Sequence, residues 1–481
     1  MRIKSNWKYV MMAAAVAIGT TSCKDDEVGD QGSGPEEDTA YMTLTFTQPK
    51  SYAYNPGADG NTAGMVTAEE VEVKNAYVFF LSSGTLKAVA AESAPQQDQT
   101  DDNVWTASFK ATTGTQTLFV GLNLSAALKD AIEAGGVYNT NDLATLAGIY
   151  GLADNTNGFA MFSEFEQTET IVPNPSNDPA INKFQVNVTR LVAKVYVEES
   201  DDLEKANISN VTFRELRFAM GQMNSKIYAL QFRNNSNFIE DPNFDATIQD
   251  FGTVGGVNVG ENVHYYTDFI SEFRPNGYKV DPIDHSVFRP VGKDGEITGN
   301  KNVKYVPENT SKNQYRGELT YACVRAEFIP LQFASYDKTL PNVEDRLTIT
   351  DNPAPTTHTS DTYYVIRTKS GLYMYFTDED EAADYFADNS TTCYAPEEYE
   401  DGYCYYYVLF NKKNSVSGAT NNHDIIRNEF YNLKVTKISQ LGYPKPDITE
   451  PEIPTGQETN ITVEVTIKDW TVVAEDHNLG R

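Results

Sequence analysis

The chain has 481 residues and carries 38 basic against 68 acidic side chains, a formal charge of −30. That surplus argues against a nucleic-acid partner, because such binding rests on neutralising phosphates with Lys and Arg. The length allows two or three domains, and 29 Tyr with 24 Phe, among alternating Thr- and Val-rich segments, mark a β protein.

Residues 1–22 read as a lipoprotein signal peptide. Arg2, Lys4 and Lys8 precede an apolar run from Val10 to Ile18, and Thr20-Thr21-Ser22-Cys23 supplies small residues before a cut. The run is too short to span a bilayer, which takes about 20 residues. A cysteine directly after the cut resembles a bacterial lipobox, whose thiol takes a diacylglycerol (and with it palmitate) and anchors the mature chain to the outer membrane. The alternative is a plain signal peptide with an incidental Cys23. Removing residues 1–22 takes away three basic groups and leaves 35 against 68, or −33. Residues 23–39, opening on Lys24-Asp25-Asp26-Glu27, have almost nothing to bury and read as an acidic flexible tether. A Lys followed by acids after the lipidated Cys resembles the surface-export signal of Bacteroidota lipoproteins. Asp38-Thr39-Ala40 resembles an O-glycosylation acceptor of such bacteria.

The first strand follows at once: Met42, Leu44 and Phe46 alternate with Thr43, Thr45 and Thr47, and Pro49 ends it. Residues 50–66 read as a loop, 71–81, 105–109 and 117–121 as strands, and 125–134 as a helix capped by Ser125 or Asn123. A second helix is expected over 141–149, one long strand over 184–197, and a hairpin from 211–218 and 226–232. The polar stretch 233–260 suggests a boundary, giving β domains over 40–240 and 241–481. In the second, strands are expected over 317–328, 362–368, 404–410, 428–438 and 459–473. Thr377, followed by Asp378-Glu379-Asp380-Glu381, is expected to cap a helix reaching about Ala387, with its acids on the positive end of the dipole.

No catalytic signature emerges. His264, His285, His358, His423 and His477 are scattered, and no H-E-x-x-H, G-x-S-x-G or P-loop is present. Asp59, Asn61, Gly64 and Glu70 match four positions of a calcium loop, but Ala63 stands where an oxygen is required, so an ordinary turn is the better reading and no metal is expected. Cys323 reads as a small buried residue of a strand. Cys393 and Cys404, eleven apart, are a candidate disulfide across a Tyr-rich hairpin, with two free thiols as the alternative.

The C-terminal segment 459–481 is unusual. Ile461, Val463, Val465 and Ile467 alternate with polar residues, and the pattern then changes parity to Trp470 and Val472, so a bulge or a crossing between sheets is expected at Lys468-Asp469. So apolar a strand needs a sheet, either its own or a neighbour's by strand addition.

At this point the chain resembles a family. The residues are Asp424-Ile425-Ile426-Arg427-Asn428-Glu429-Phe430-Tyr431-Asn432-Leu433, Tyr305-Val306-Pro307-Glu308-Asn309-Thr310, Arg190-Leu191-Val192-Ala193-Lys194-Val195 and Lys468-Asp469-Trp470. Together with the Tyr-rich segment between Cys393 and Cys404, they are similar to the type V fimbrillins of Bacteroidales, specifically the major subunits of Mfa-type fimbriae. The resemblance implies a structural, non-enzymatic pilin without cofactor, built of two transthyretin-like β-sandwich domains with a few short helices. It implies surface export as a lipoprotein and trimming by a trypsin-like protease that removes the anchor with the first strand. The opened groove then takes the terminal strand of another copy, giving a fimbrium that supports cell adhesion. The implied partners are other copies of the chain, accessory fimbrial subunits, the protease, and host or bacterial surface receptors. The family's Arg cleavage site is missing here, and Lys50 is the candidate in its place; an uncleaved base or accessory subunit is the alternative. A surface binding lipoprotein that never polymerises, taking a glycan or a host ligand, is the rival class.

Overall fold

Alternation at period two puts Ala40, Met42, Leu44 and Phe46 on one face of the first strand, and all four are fully buried. The computed structural model in which they sit describes residues 39–48, most of 70–447, and 461–469; the larger breaks are 136–150, 245–252, 259–268, 276–281, 294–301 and 411–422. The chain is mainly β, as expected, with helices α1 (Ala126–Gly135) and α2 (Glu379–Asn389) among the described residues.

The N-terminal half is built of β1 (Thr39–Thr47), β2 (Ala76–Ser82), β3 (Thr85–Glu92), β4 (Val104–Thr112), β5 (Gly114–Leu122), β6 (Met161–Ser163), β7 (Gln167–Ile171) and β8 (Lys183–Arg190). They pair in the order β3-β2-β5-β6-β8-β1-β4, with β7 on β5. β8 links the two ends of this array, because residues 183–187 pair with β1 and residues 188–190 pair with β6. Phe79, Phe119 and Phe162 stack across β2, β5 and β6, with the first two centroids 4.7 Å apart. Ser125 caps α1 by accepting the Leu128 N–H at 3.2 Å. Asn123 does other work: it sits at positive φ, and its amide holds Glu72 and Phe159 carbonyls at 2.7 and 3.0 Å. The β3 strand, with only Leu86, Val89 and small residues to pattern it, escaped the sequence reading.

The expected strand over 184–197 is two strands. Leu191 breaks it by donating its N–H to the Ala160 carbonyl at 3.0 Å, and β9 (Val192–Lys205) then enters another sheet. That sheet has the order β12-β9-β21-β22, with β13 also on β9, where β12 is Gly292–Lys293, β13 Val303–Pro307, β21 Glu429–Ile438 and β22 Ile461–Asp469. The facing sheet runs β11-β10-β14-β20: Arg289–Pro290, Val211–Gly221, Tyr321–Pro330 and Tyr403–Leu409. The division expected at 240/241 is therefore displaced. Strands 192–205 and 211–221, assigned to the first domain by the sequence, pair with strands from beyond 241. A polar stretch marks a loop; only pairing shows which sheet the flanking strands join.

The hairpin expected from 211–218 and 226–232 does not form. β10 runs to Gly221 and pairs with β11 and β14, while the Tyr228 and Ala229 carbonyls are taken at 2.7 and 2.9 Å by the Arg427 guanidinium. Between β14 and β20 the chain inserts a five-stranded sheet, β16-β15-β18-β17-β19 (Leu347–Asp351, Gln332–Tyr336, Tyr373–Phe376, Tyr363–Arg367 and Glu397–Tyr399). α2 packs on it through Ala382. Asp378 rather than Thr377 caps α2, accepting the Glu381 N–H at 2.9 Å, and Glu379, Asp380 and Glu381 fill the first turn.

This insertion separates the candidate disulfide pair. Cys393 lies in the small core of the inserted sheet and Cys404 in the main core opposite Ala326; both are buried free thiols, as is Cys323. Residues 397–399 pair with β17 and residues 403–409 with β14, so the two ends of the eleven-residue spacing serve different sheets. Burial pushes the Cys404 thiol up to about 12.

Gly221 stands opposite Tyr321 in the β10–β14 register, and a Cβ there would lie 2.4 Å from the buried Tyr321 ring. Gly221→Ala is expected to destabilise the chain by about 1–3 kcal/mol, the usual cost of overpacking. Denaturant unfolding should show a lower midpoint with an unchanged slope.

Candidate functional site

The features of the sequence that point to function converge on the first and last described strands. β1 is an interior strand. Nine of its residues pair antiparallel with β4, from Thr39↔Thr112 to Thr47↔Val104, and five pair parallel with β8, from Thr43↔Lys183 to Thr47↔Asn187. Phe46 meets Phe109 edge to face at 6.3 Å. Two asparagines clamp the strand where β8 has not yet begun: Asn174 and Asn182 donate side-chain N–H groups to the Tyr41 carbonyl at 3.0 and 2.9 Å. Their own carbonyls accept the Tyr41 and Thr43 N–H groups. Each buried Met, Leu or Phe contributes about 1.5–3 kcal/mol, so an empty seat would expose a costly apolar trough and two rows of unpaired backbone groups. Lys50 and Cys23 lie outside the described residues.

β22 pairs antiparallel with β21 of its own chain over nine residues, from Glu429↔Asp469 to Ile438↔Ile461, and forms an edge of its sheet. Val463 packs, half-buried, against the main core. Of the two homes open to this segment in the sequence, its own sheet is the one occupied here. Ile461, Val465 and Ile467 hold their register positions opposite Ile438, Leu433 and Tyr431, while Trp470 and Val472 lie outside the described residues. No bulge occurs at Lys468-Asp469, and the residues that a crossing between sheets would carry onward, from Trp470, lie outside the described residues. Both residues pair in step, and the register shift falls at Thr436 of the partner strand.

The segments that carry the family resemblance meet as buried polar pins. Glu70, Lys194, Arg190 and Tyr305 form the first: Lys194 Nζ lies 2.6 Å from Glu70 Oε1, with both side chains essentially unexposed. The Tyr305 hydroxyl donates to the same oxygen at 2.8 Å, and Arg190 donates to the Glu70 main-chain carbonyl at 3.0 Å. Burial lowers Lys194 from the usual lysine range and pulls Arg190 down to about 10, while Glu70 opposes both shifts. Glu70, the only described member of the calcium-loop pattern, is thus engaged by an ammonium. Asn428, from the 424–433 segment, takes a left-handed turn at φ 62°, donates its N–H to the Val192 carbonyl and accepts from Arg190 at 3.4 Å.

The second pin joins Glu308 and Arg427, 3.1 Å apart, with Arg427 also bridging to the 228–229 carbonyls. Beside it, Asp241 accepts from the N–H and hydroxyl of Thr310 and, at 2.7 Å, from the Asn243 N–H. Burial pushes Asp241 up to about 8 against the pull of those donors, and the nearby Glu308 adds to the rise. Glu272 with Lys304 at 2.8 Å and Arg274 with Asp447 at 2.9 Å complete the set. Sequence reasoning gave these residues no role. Their signal was the Lys, Arg and Glu residues set inside apolar strand patterns, where a charge survives only when paired.

No cluster of three or more metal-ligating side chains occurs among the described residues, and no helix among them is long and apolar enough to cross a membrane. What the geometry defines is a β-sandwich protein whose first described strand is buried mid-sheet.

Residues 397–476, which include β20, β21 and β22, match the family model described as "Major fimbrial subunit protein type IV, Fimbrillin, C-terminal". The fimbrillin likeness read in the sequence is borne out over that segment. Solved structures that resemble the chain include a proposed cell adhesion protein from Parabacteroides distasonis (12% identity, 91% of this chain and 100% of that one, TM-score 0.47). A fimbrilin from Porphyromonas gingivalis follows at 15% identity, 90% and 98% coverage and a TM-score of 0.43. The C-terminally truncated tip fimbrial protein Mfa3 of Porphyromonas gingivalis gives 12%, 90%, 100% and 0.32. No curated protein matches the chain.

Two outcomes test the pins. Lys194→Met should cost about 3–5 kcal/mol by stranding the Glu70 carboxylate, and adding Glu70→Gln should recover part of that loss. Equilibrium unfolding of the single and double variants reads this directly. Asp241, raised in the folded state, favours folding fully below about pH 4, and that contribution is lost as pH rises through about 8. The melting temperature of the native chain should therefore fall relative to Asp241→Asn between pH 5 and pH 9.

Proposed function

We propose that the chain is a structural subunit of a surface fimbria, exported as a lipoprotein on Cys23 and polymerised by exchange of β1 for the terminal strand of another copy. The observation that carries this reading is the seat of β1. It is an interior strand with a fully apolar inner face, and the chain continues from it through Lys50. One cut after Lys50 would release the lipid and the strand together. Fimbrillin similarity over 397–476 supports the same reading.

The replacement strand is available in the same chain. β1 and β22 are both nine residues long, and each sets four apolar residues at period two: Ala40, Met42, Leu44 and Phe46, against Ile461, Val463, Val465 and Ile467. Each can therefore present the same kind of face to a groove of this length. A β22 that leaves β21 gives up one edge of pairing and gains two in the seat of β1. Head-to-tail insertion is heterologous and does not close, so it builds a filament. Accessory subunits and a trypsin-like protease are the partners this scheme requires, and its role is mechanical rather than enzymatic.

The test is the N-terminus of sheared filaments, read by mass spectrometry together with a strand variant. Processed subunits should begin at Ser51. Leu44→Ala should destabilise the unprocessed chain by about 2–5 kcal/mol and leave assembled filaments unaffected, since the strand is gone. Filaments whose subunits start at Cys23, or ladders on unboiled gels that persist after deletion of residues 459–481, would sink the exchange scheme.

A further inference from the structure

The outer face of the β11-β10-β14-β20 sheet changes character along its length. β14 puts Tyr321, Cys323, Arg325 and Glu327 on this face at period two. At one end Tyr321, Cys323, Tyr405 and Tyr407 are covered by Phe273 and Phe288. At the other end that cover stops, leaving an open cavity of about 320 Å³ around Arg325. Arg217 and Tyr405 flank Arg325 in the register, and Tyr403 pairs with Glu327.

Arg325 is only 6% exposed, and its guanidinium lies 4.1 Å from the Tyr403 ring centre and 4.9 Å from that of Phe288. Its Nη1 is 3.1 Å from His285 Nδ1. A guanidinium can only donate, so Nδ1 accepts and His285 is neutral, with its proton on Nε2. Lys194, Arg274, Lys304 and Arg427 are equally buried, and each holds a carboxylate within 3.1 Å. Arg325 pairs with none among the described residues. A second guanidinium, Arg217, sits beside it instead, and like charges in register repel. A buried cation fixed by two rings and a neutral imidazole, and facing a cavity, is half of an ion pair.

Two carboxylates also reach the cavity. Glu215 is held by Arg217 at 2.9 Å and Glu327 by Arg214 at 3.2 Å. An inorganic anion would find these acceptors repulsive, with nothing to offer them. A ligand that joins one carboxylate to several hydroxyls satisfies both halves. We propose that this cavity binds an acidic monosaccharide, with Arg325 and Arg217 taking its carboxylate and Glu215 and Glu327 accepting from its hydroxyls. The volume is at the small end of ligand pockets, which suits one sugar residue. This inference stands apart from polymerisation, because neither β1 nor β22 contributes to the cavity.

Titration calorimetry on the full chain tests it, with glucuronate and N-acetylneuraminate as probes. Glucose and N-acetylglucosamine serve as neutral controls, and acetate and sulfate as simple anions. Saturable binding of an acidic sugar is expected, with the neutral sugar and acetate each weaker by roughly tenfold, the worth of one charge-assisted contact. Arg217→Ala, at the half-exposed rim, should weaken binding by a similar factor without moving the melting temperature. Arg325→Lys keeps the charge and loses the planar fork, so it should also weaken binding. The proposal fails if neither acidic sugar saturates, if acetate or a neutral sugar binds as tightly, or if Arg217→Ala leaves the affinity unchanged.

Discussion

The seat of β1 is the constraint on which the N-terminal half depends. An interior strand must satisfy a neighbour on each side, and here those neighbours, β4 and β8, come from much later in the chain. The half can therefore close only when a strand fills that seat. Asn174 and Asn182 extend the clamp past the end of β8 by standing in for a strand edge at Tyr41 and Thr43. A strand held this way is stable while present and costly when missing, which is the property an exchange mechanism needs.

Buried charge fixes how the two halves of the chain join. β8 and β9 are continuous in sequence except for Leu191, yet they belong to different sheets. The Glu70–Lys194–Arg190–Tyr305 pin lies at that crossing, with Asn428 turned in from β21. Glu308 with Arg427 ties the loop after β13 to the start of β21 in the same way. Buried ion pairs of this kind give little net stability, because desolvation offsets the attraction. They do penalise every arrangement that leaves one member unpaired. Register and topology are what such pins select.

How much was legible follows from the range of each signal. The alternation of Met42, Leu44 and Phe46 specified β1 and its buried face, and the runs over 404–410, 428–438 and 461–467 specified their strands, because side-chain period is local. The cap of α2 was misplaced by one residue, from Thr377 to Asp378, since both carry a suitable oxygen. The strand over 184–197 looked continuous because nothing in its own pattern reveals that Leu191 binds Ala160. Cys393 and Cys404 looked like a staple because spacing does not say that an inserted sheet claims one of them. The polar pins were visible only as charges out of place.

The sequence by itself determined that this is an acidic β protein, where its main strands run, which faces are apolar, and which family it resembles. The tertiary structure decided that strands 192–221 serve the second sandwich, that β22 pairs with β21, and that Lys194, Arg274, Lys304 and Arg427 have carboxylate partners while Arg325 has a cavity. The reason is separation along the chain. Periodicity is set by neighbours two residues apart, whereas Arg190 meets Asn428 across 238 positions, and no local pattern encodes a contact of that range.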